Sequence, residues 1–380
     1  MIAYNEGKGL YPSCSQQSTC LAQSGTMGNA SSSPSPSKGG SYRTSLSGPI
    51  QITFGVELEF IVEFSRVDYV PLETPEPEGQ SSRLPRRRGL TYLQPLRIAI
   101  AEALEKRGVP VYDPRESEKF GMYDCWTVTT DATIKCPISG LNEDRRYIPI
   151  EVKTRILRMD DKGITELRRG IVAITENFKT GVNESCGLHV HVGNDGKKGF
   201  PLTTLKTLAG LIVGFEPHAN SLHPARRCQP DSWCAPLSNL GGFEPLSPLQ
   251  RVLAVERTGS LRSFLELTGD PLAVEPMAVN FGNLTSASRK QTVEFRQHEG
   301  TMEEERVVMW VRLVTRLVKV AHEMLSTVYV DIVREKVDVG GFGVLELLGW
   351  MMLDDVALYY SDKLHEHQWA KLPDGSGGGR

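Results

Sequence analysis

No C-x-x-C pair occurs in this chain, although it carries seven cysteines (Cys14, Cys20, Cys125, Cys136, Cys186, Cys228 and Cys234). That scatter argues against a zinc ribbon or a dithiol redox motif. The start, Met1 to Ser13, has neither a basic segment nor an apolar one of the kind that directs secretion. Reduced thiols in an intracellular setting are therefore expected. The longest clean apolar run, Leu208 to Phe215, is far short of the roughly 20 residues that cross a bilayer. Charge of one sign is also missing: 43 Lys and Arg against 46 Asp and Glu leave a net charge of -3 in 380 residues. Bulk attraction to nucleic acid or a membrane surface is not expected. No G-x-x-x-x-G-K-[ST] run and no strand-bound G-x-G-x-x-G is present. A nucleotide would have to be held by something other than a glycine loop at a helix start. These absences leave a soluble cytoplasmic protein with no nucleic-acid or membrane partner.

What is present falls into stretches. Residues 1–48 are rich in Ser, Gly and Pro and form an expected disordered tail. Pro71 to Gly89, with Arg86-Arg87-Arg88, reads as an exposed insertion. Helical spacing marks Tyr92 to Arg107, Ile164 to Phe178 and Leu202 to Phe215. Trp126 to Asp131 and Ile148 to Lys153 alternate as strands. Pro217 to Pro248 is a long irregular stretch. Thr301 to Glu304 has capping-box spacing and would open a long helix reaching Leu325. An apolar segment, Val344 to Leu353, precedes a polar tail. The domain reading is a tail over 1–48, a catalytic domain over 49–335, and a helical extension with polar tail over 336–380.

Three runs share one pattern: G-V-E-L-E-F from Gly55, G-L-H-V-H-V from Gly187, and T-V-E-F-R-Q-H from Thr292. Successive strand side chains point to opposite faces. Glu57 and Glu59 are thus set against Val56, Leu58 and Phe60, and His189 and His191 against Leu188, Val190 and Val192. Glu294, Arg296 and His298 are set against Val293 and Phe295. Glu151 and Lys153 join from a fourth strand. Buried parallel strands would be apolar nearly throughout. The alternation instead predicts an α+β fold: a largely antiparallel sheet, helices on its apolar face and a polar site on the other.

Two glutamates side by side repel by about 1 kcal/mol in water and about four times that at a protein-like dielectric. Protonation or a cation relieves this. Carboxylates suit Mg²⁺ or Mn²⁺, while H-x-H by itself also suits Zn²⁺ or Fe²⁺. Arg296 suits a phosphate or a carboxylate. Read one at a time, the motifs are equally an edge strand with solvated glutamates, a pair of surface histidines and a cross-strand salt bridge. Read together, they suggest a site for more than one divalent ion facing polyphosphate oxygens.

The ordered set G-V-E-L-E-F, V-N-E-S-C-G-L-H-V-H-V-G (Val182 to Gly193) and T-V-E-F-R-Q-H-E-G-T (Thr292 to Thr301) resembles the fungal amidoligase family. Supporting stretches are Phe215-Glu216-Pro217, Ser221 to Pro224, Asn280 and Asn283-Leu284, and the resemblance spans about residues 50 to 330. It implies membership of the carboxylate–amine ligase superfamily with glutamine synthetase. The implied fold is a curved antiparallel sheet holding ATP and Mg²⁺ or Mn²⁺ on its concave face. By motif, Glu57, Glu59, Glu151, His189 and Glu294 match metal ligands. His191 matches a residue near the nucleotide phosphates, and Arg296 matches the arginine on the transferring phosphate. Asn183 and Ser185 fall where substrate contacts are expected.

The implied activity joins a small-molecule or peptide carboxylate to an amine through an acyl phosphate. After Glu151 the family tends to read Val or Ile and then Ser-Pro, whereas this chain has Val152-Lys153-Thr154-Arg155. Lys153 would replace part of a metal charge or contact substrate. Asp131 and Thr133 fit a D-x-[ST] pattern without an assigned role. His218, His223, Arg226 and Arg227 lie in the long loop, and Arg226 joins the substrate candidates. Two other readings stand beside the ligase: a single-metal Zn or Fe(II) enzyme on His189, His191 and one Glu, and an inactive binding module on the same sheet.

Overall fold

A computed structural model describes residues 49–65, 93–114, 123–137, 145–195, 199–230, 232–269, 277–285, 288–324, 326–337 and 342–369. All belong to one compact unit spanning Tyr42–Arg380. The expected tail over 1–48 and the Pro71 to Gly89 insertion lie outside the described residues.

The strands are β1 (Ile52–Ser65), β2 (Thr127–Thr129), β3 (Arg145–Lys153), β4 (Leu157–Arg158), β5 (Lys179–Gly181), β6 (Gly187–Asn194), β7 (Val279–Asn280) and β8 (Val293–Glu299). They form one sheet in the order β2-β3-β1-β6-β8-β7, with β4 and β5 pairing to the two ends of β1. Every pairing between these strands is antiparallel. The fold is therefore α+β, as the alternation predicts. β1 sits in the interior of the sheet, so its two glutamates do not belong to an edge strand.

The alternation decides which face meets the helices. Phe54, Val56, Leu58, Phe60 and Val62 of β1 are all buried in the main core, as are Leu188, Val190 and Val192 of β6. On that side α7 (Glu304–Glu323) packs against β1 and β6, α2 (Asp161–Asn177) against β4 and β5, and α1 (Leu93–Lys106) against β2, while α3 (Leu202–Gly214) packs on α7. Asp160 starts α2, its carboxylate accepting from Gly163 N at 2.9 Å, which satisfies one of the free amides of the first turn. Gly170 lets α2 approach the fully buried Trp126, since a Cβ there would lie 2.3 Å from Trp126 Cη2.

The capping box expected at Thr301 is not formed. α7 begins at Glu304 with Glu303 as its N-cap, and Thr301 Oγ1 instead accepts from Glu303 N at 3.1 Å. Gly300 N donates to Cys186 O at 2.8 Å, so the chain is still tied to β6 there. The next residues carry it from the sheet to the helix layer. The long loop is also more ordered than its composition suggests. It holds α4 (Glu216–Asn220) and two 3₁₀ turns, Ala225–Cys228 and Leu237–Asn239.

Two further helices, α5 (Pro248–Glu256) and α6 (Leu261–Thr268), precede β7, and α8 (Ser326–Lys336) follows α7. The C-terminal extension consists of α9 (Val344–Trp350) and α10 (Asp354–Trp369). Their Val344, Leu348, Val356 and Tyr360 join the same core as the sheet. Among the described residues, no helix is long and apolar enough to cross a membrane.

Candidate active site

The strand register brings the three motifs together. Glu57 stands opposite Lys153 on β3 and His189 on β6. Glu59 stands opposite Glu151, which in turn faces Thr129 of β2. His191 is opposite Glu294 on β8, and Glu294 is opposite Asn280 on β7. Alternation within each strand and register between strands thus place these side chains on the face away from the helices. All six of Glu57, Glu59, Glu151, His189, His191 and Glu294 are buried, so the site is the floor of the fold rather than a washed surface.

Glu57 is the hub. One oxygen lies 3.0 Å from His191 Nε2, 3.3 Å from Lys290 Nζ and 3.6 Å from Lys153 Nζ, and the other lies 3.5 Å from His189 Nδ1. Burial works to raise its pKa. The hydrogen bonds to His189 and His191, with the charges of His191 and Lys290, overcome that and hold it well below the usual carboxylate range. Glu294 accepts from Arg296 Nη1 at 2.6 Å and from the side-chain amides of Asn280 and Asn283 at 3.0 and 3.3 Å. Burial opposes its ionisation too, but His191, Arg296 and His189 bring its pKa down to about 2. Glu59 behaves oppositely. Burial first, then Asp131 and Glu151, push it up against His189 and the amide of Gly187, which donates to it at 2.7 Å.

Among the described residues, two groups have ligand atoms within 4.8 Å of one another: Glu57, His189 and Glu294, and Glu59, Asp131 and Glu151. Among the described residues no such group contains both His189 and His191. His191 instead spends its ring nitrogens on Thr292 Oγ1 at 3.2 Å and on Glu57. Three carboxylates converging on one point, one of them held up in pKa, are the donor set that hard divalent cations take. The residues present therefore fit a divalent metal.

Gly187 explains the glycine before the H-x-H run. A Cβ there would lie 2.6 Å from His189 Nε2, so only glycine lets the imidazole lie back over the strand.

β8 departs from simple alternation. Val190 pairs with Phe295 but Leu188 pairs with His298, so β8 spends three residues where β6 spends two. This bulge turns His298 off the polar face. Its ring packs beside Trp310 of α7 and His223, with centroids 5.5 and 5.8 Å away. The expectation that His298 shares a face with Glu294 and Arg296 is corrected accordingly. Burial, with the charge of Arg306, pushes its pKa down to about 3.

The expected substrate residues are placed differently from one another. Asn183 Oδ1 accepts from Ser185 N and Oγ at 3.0 and 2.6 Å, while Asn183 Nδ2 donates to Lys135 O at 2.6 Å. Ser185 Oγ accepts from Lys135 N at 2.8 Å. Both side chains latch the loop bearing Asp131 to the start of β6. Arg226 is half-exposed and pairs with Glu299 at 2.5 Å. With Asn183, Glu184 and Arg306 it lines an open cleft of about 530 Å³.

Lys290 carries no alternation signal and escapes the sequence reading. Asp131 was legible only as the head of D-x-T, and Thr133 N and Oγ1 both donate to its Oδ1 at 2.7 Å.

The chain matches the Amidoligase_2 family model, described as "Putative amidoligase enzyme", over residues 51–318. No curated protein matches it. A solved structure described as "Apo GmaS without ligand" is similar over 86% of this chain and 71% of that chain, at 10% identity and a TM-score of 0.30. The matched residues run from the strand bearing Glu57 and Glu59 through the one bearing Glu294 and into α7, and by that match the chain belongs to the amidoligase family.

Proposed function

We propose that this protein is an ATP-dependent carboxylate–amine ligase that works through an acyl phosphate at a divalent-metal site. One observation carries the reading: two separate sets of metal-type side chains lie on one buried face, with Arg296 and Lys290 among them. A substrate carboxylate oxygen would attack the γ-phosphorus of ATP, and the bond to the β,γ-bridging oxygen would break, releasing ADP. An amine would then attack the acyl carbon, lose a proton and release inorganic phosphate, leaving the amide.

Glu57, His189 and Glu294, with Glu59, Glu151 and Asp131, would hold Mg²⁺ or Mn²⁺. Such ions neutralise phosphate charge and favour in-line displacement. Arg296 would meet the transferring group. Its Nη1 is held by Glu294, while its buried Nε has no hydrogen-bond partner. A donor left dry and unpaired is costly, and a phosphate oxygen would satisfy it. His191 would stand beside the phosphates, set by Thr292 and Glu57. The cleft beside Arg226 is large enough for a small-molecule or peptide substrate.

The single-metal centre on both histidines gains no support, because they do not converge on one point. The test is a screen of amines and amino acids for stimulated phosphate release from ATP and Mg²⁺. Stimulation by a carboxylate and amine pair, with the amide found by mass spectrometry, supports the assignment. ATP binding with no turnover across the screen would leave the inactive binding module standing instead.

A further inference from the structure

The two metal-type sets differ in how their charge is already met. In the first, Glu57 and Glu294 are the carboxylates. Arg296 Nη1 lies 2.6 Å from Glu294, and Lys290 Nζ lies 3.3 Å from Glu57 and 3.4 Å from His191 Nε2. Two carboxylates thus meet one guanidinium and one ammonium, so this set is balanced by side chains without a metal ion. In the second set, Glu59, Asp131 and Glu151 are three carboxylates. Among the described residues, the lysine or arginine paired with them is Lys153, whose Nζ is 3.0 Å from Glu151 and also reaches Glu57 at 3.6 Å, while His189 Nδ1 lies 3.6 Å from Glu59. Two negative charges are left over, which is the charge of one divalent ion.

Burial makes this difference count. Uncompensated charge inside a protein is costly, so ions fill the set that lacks partners. Neither lysine is locked in place. The Lys290 and Lys153 side chains are 34% and 37% exposed, and each is a point charge on a flexible stem.

Resting on the metal-site reading above, we propose that Lys290 and Lys153 are built-in counter-ions. In the nucleotide-free protein Lys290 occupies the place of a cation at Glu57, so that a single divalent ion resides at Glu59, Asp131 and Glu151. Lys153 separates the two sets and weakens that resident ion. The Glu57 set becomes free for a second ion only when Lys290 leaves it, and phosphate oxygens are the acceptors that would draw it away. Lys290 acts here as a positioning residue.

Mn²⁺ counted by electron paramagnetic resonance on the full chain, without nucleotide, tests this directly. Wild type is expected to bind one ion per chain. Lys290→Met should bind two, or bind the second at least tenfold more tightly than wild type, and Lys290→Arg should return to one. Lys153→Met should keep one ion, bound at least tenfold more tightly. Melting curves with and without Mn²⁺ establish that each variant is folded, and exposure of both side chains makes folding the expected result. Two equivalent ions in wild type, or a Lys290→Met count and affinity equal to wild type, would overturn the proposal. So would an unchanged affinity in Lys153→Met, for the part assigned to Lys153. No Mn²⁺ binding by any of these proteins overturns it together with the metal site. The expected counts without ATP turnover would instead remove only the ligase reading.

Discussion

Arg227 Nη2 donates to the carbonyl oxygen of Arg296 at 2.6 Å, and its Nε donates to that of Gln297 at 3.2 Å. Arg296 and Gln297 are the bulge residues of β8, without a register partner on β6. Arg227 is buried, so its guanidinium is a fixed strut rather than a surface contact. The strut holds the point where Arg296 stays on the polar face and His298 leaves it.

Replacing Arg227 with Met keeps the bulk of the side chain but leaves two buried carbonyls without donors. A cost of about 1–3 kcal/mol is expected, measured by urea unfolding. Because the bulge aims Arg296, ATP turnover should fall further than stability alone explains. A variant with normal stability and normal turnover would show that the bulge holds itself.

Glu57→Ala and Glu294→Ala remove carboxylates from one metal-type set. Each is expected to lower Mg²⁺-dependent phosphate release by at least about a hundredfold, the scale of losing a group that fixes transition-state charge. Circular dichroism should remain that of wild type. Undiminished turnover in both variants would sink the assignment of this face.

Gly187→Ala is the most local probe of His189. The added methyl would stand 2.6 Å from Nε2, so the imidazole must move. Made in the Lys290→Met background, where the Glu57 set is open, it should weaken the second Mn²⁺ by about ten- to a hundredfold, the range seen when the positioning of a metal ligand is disturbed. Stability should change by only about 1 kcal/mol, because the clash is with the end of a side chain rather than with backbone. Isothermal titration of Mn²⁺ against both proteins measures the difference.

His298 sets an acid limit on stability. Its folded pKa, about 3, lies below the unfolded value near 6.5. Between these values the unfolded chain takes up the proton and the folded one does not, so stability rises with pH. The contribution is complete above about pH 6.5 and is lost as pH falls toward 3, at up to about 1.4 kcal/mol per unit. His298→Gln should flatten the dependence of the urea midpoint on pH between 6.5 and 4.5. An unchanged slope would assign the acid sensitivity to other groups.

Gly170→Ala tests the seat of Trp126. Its methyl would meet the indole at 2.3 Å in a packed core. Overpacking of that kind costs about 1–3 kcal/mol. Thermal unfolding should register the loss, while Mn²⁺ binding on the far face of the sheet stays as in wild type.

Much of the site was legible because strand geometry is short-ranged. A period of two residues puts Glu57 with Glu59 and His189 with His191 whatever the rest of the chain does. The same period sets Phe54 to Val62 toward the helices, and the apolar stripes of α2 and α7 supply a layer to meet them. Regularity is also why the reading failed at His298. One inserted residue on β8 reverses every later side chain, and no local signal in T-V-E-F-R-Q-H announces it. Thr301 to Glu304 fails for a related reason. The spacing of a capping box is local, but where α7 begins depends on the tie between Gly300 and Cys186.

By itself, then, the sequence determined the two-faced strands, the residue types able to hold a metal, and the absence of any glycine loop for a nucleotide. Tertiary structure decided which of those residues meet. Register across β3, β1, β6 and β8 sorted the acids into two sets and brought Lys153 between them. The turn after β2 delivered Asp131, and a segment with no periodic pattern delivered Lys290. The physical reason is range: side-chain alternation is fixed by adjacent peptide units, whereas the balance of charge around Glu57 depends on residues as far along the chain as Lys290.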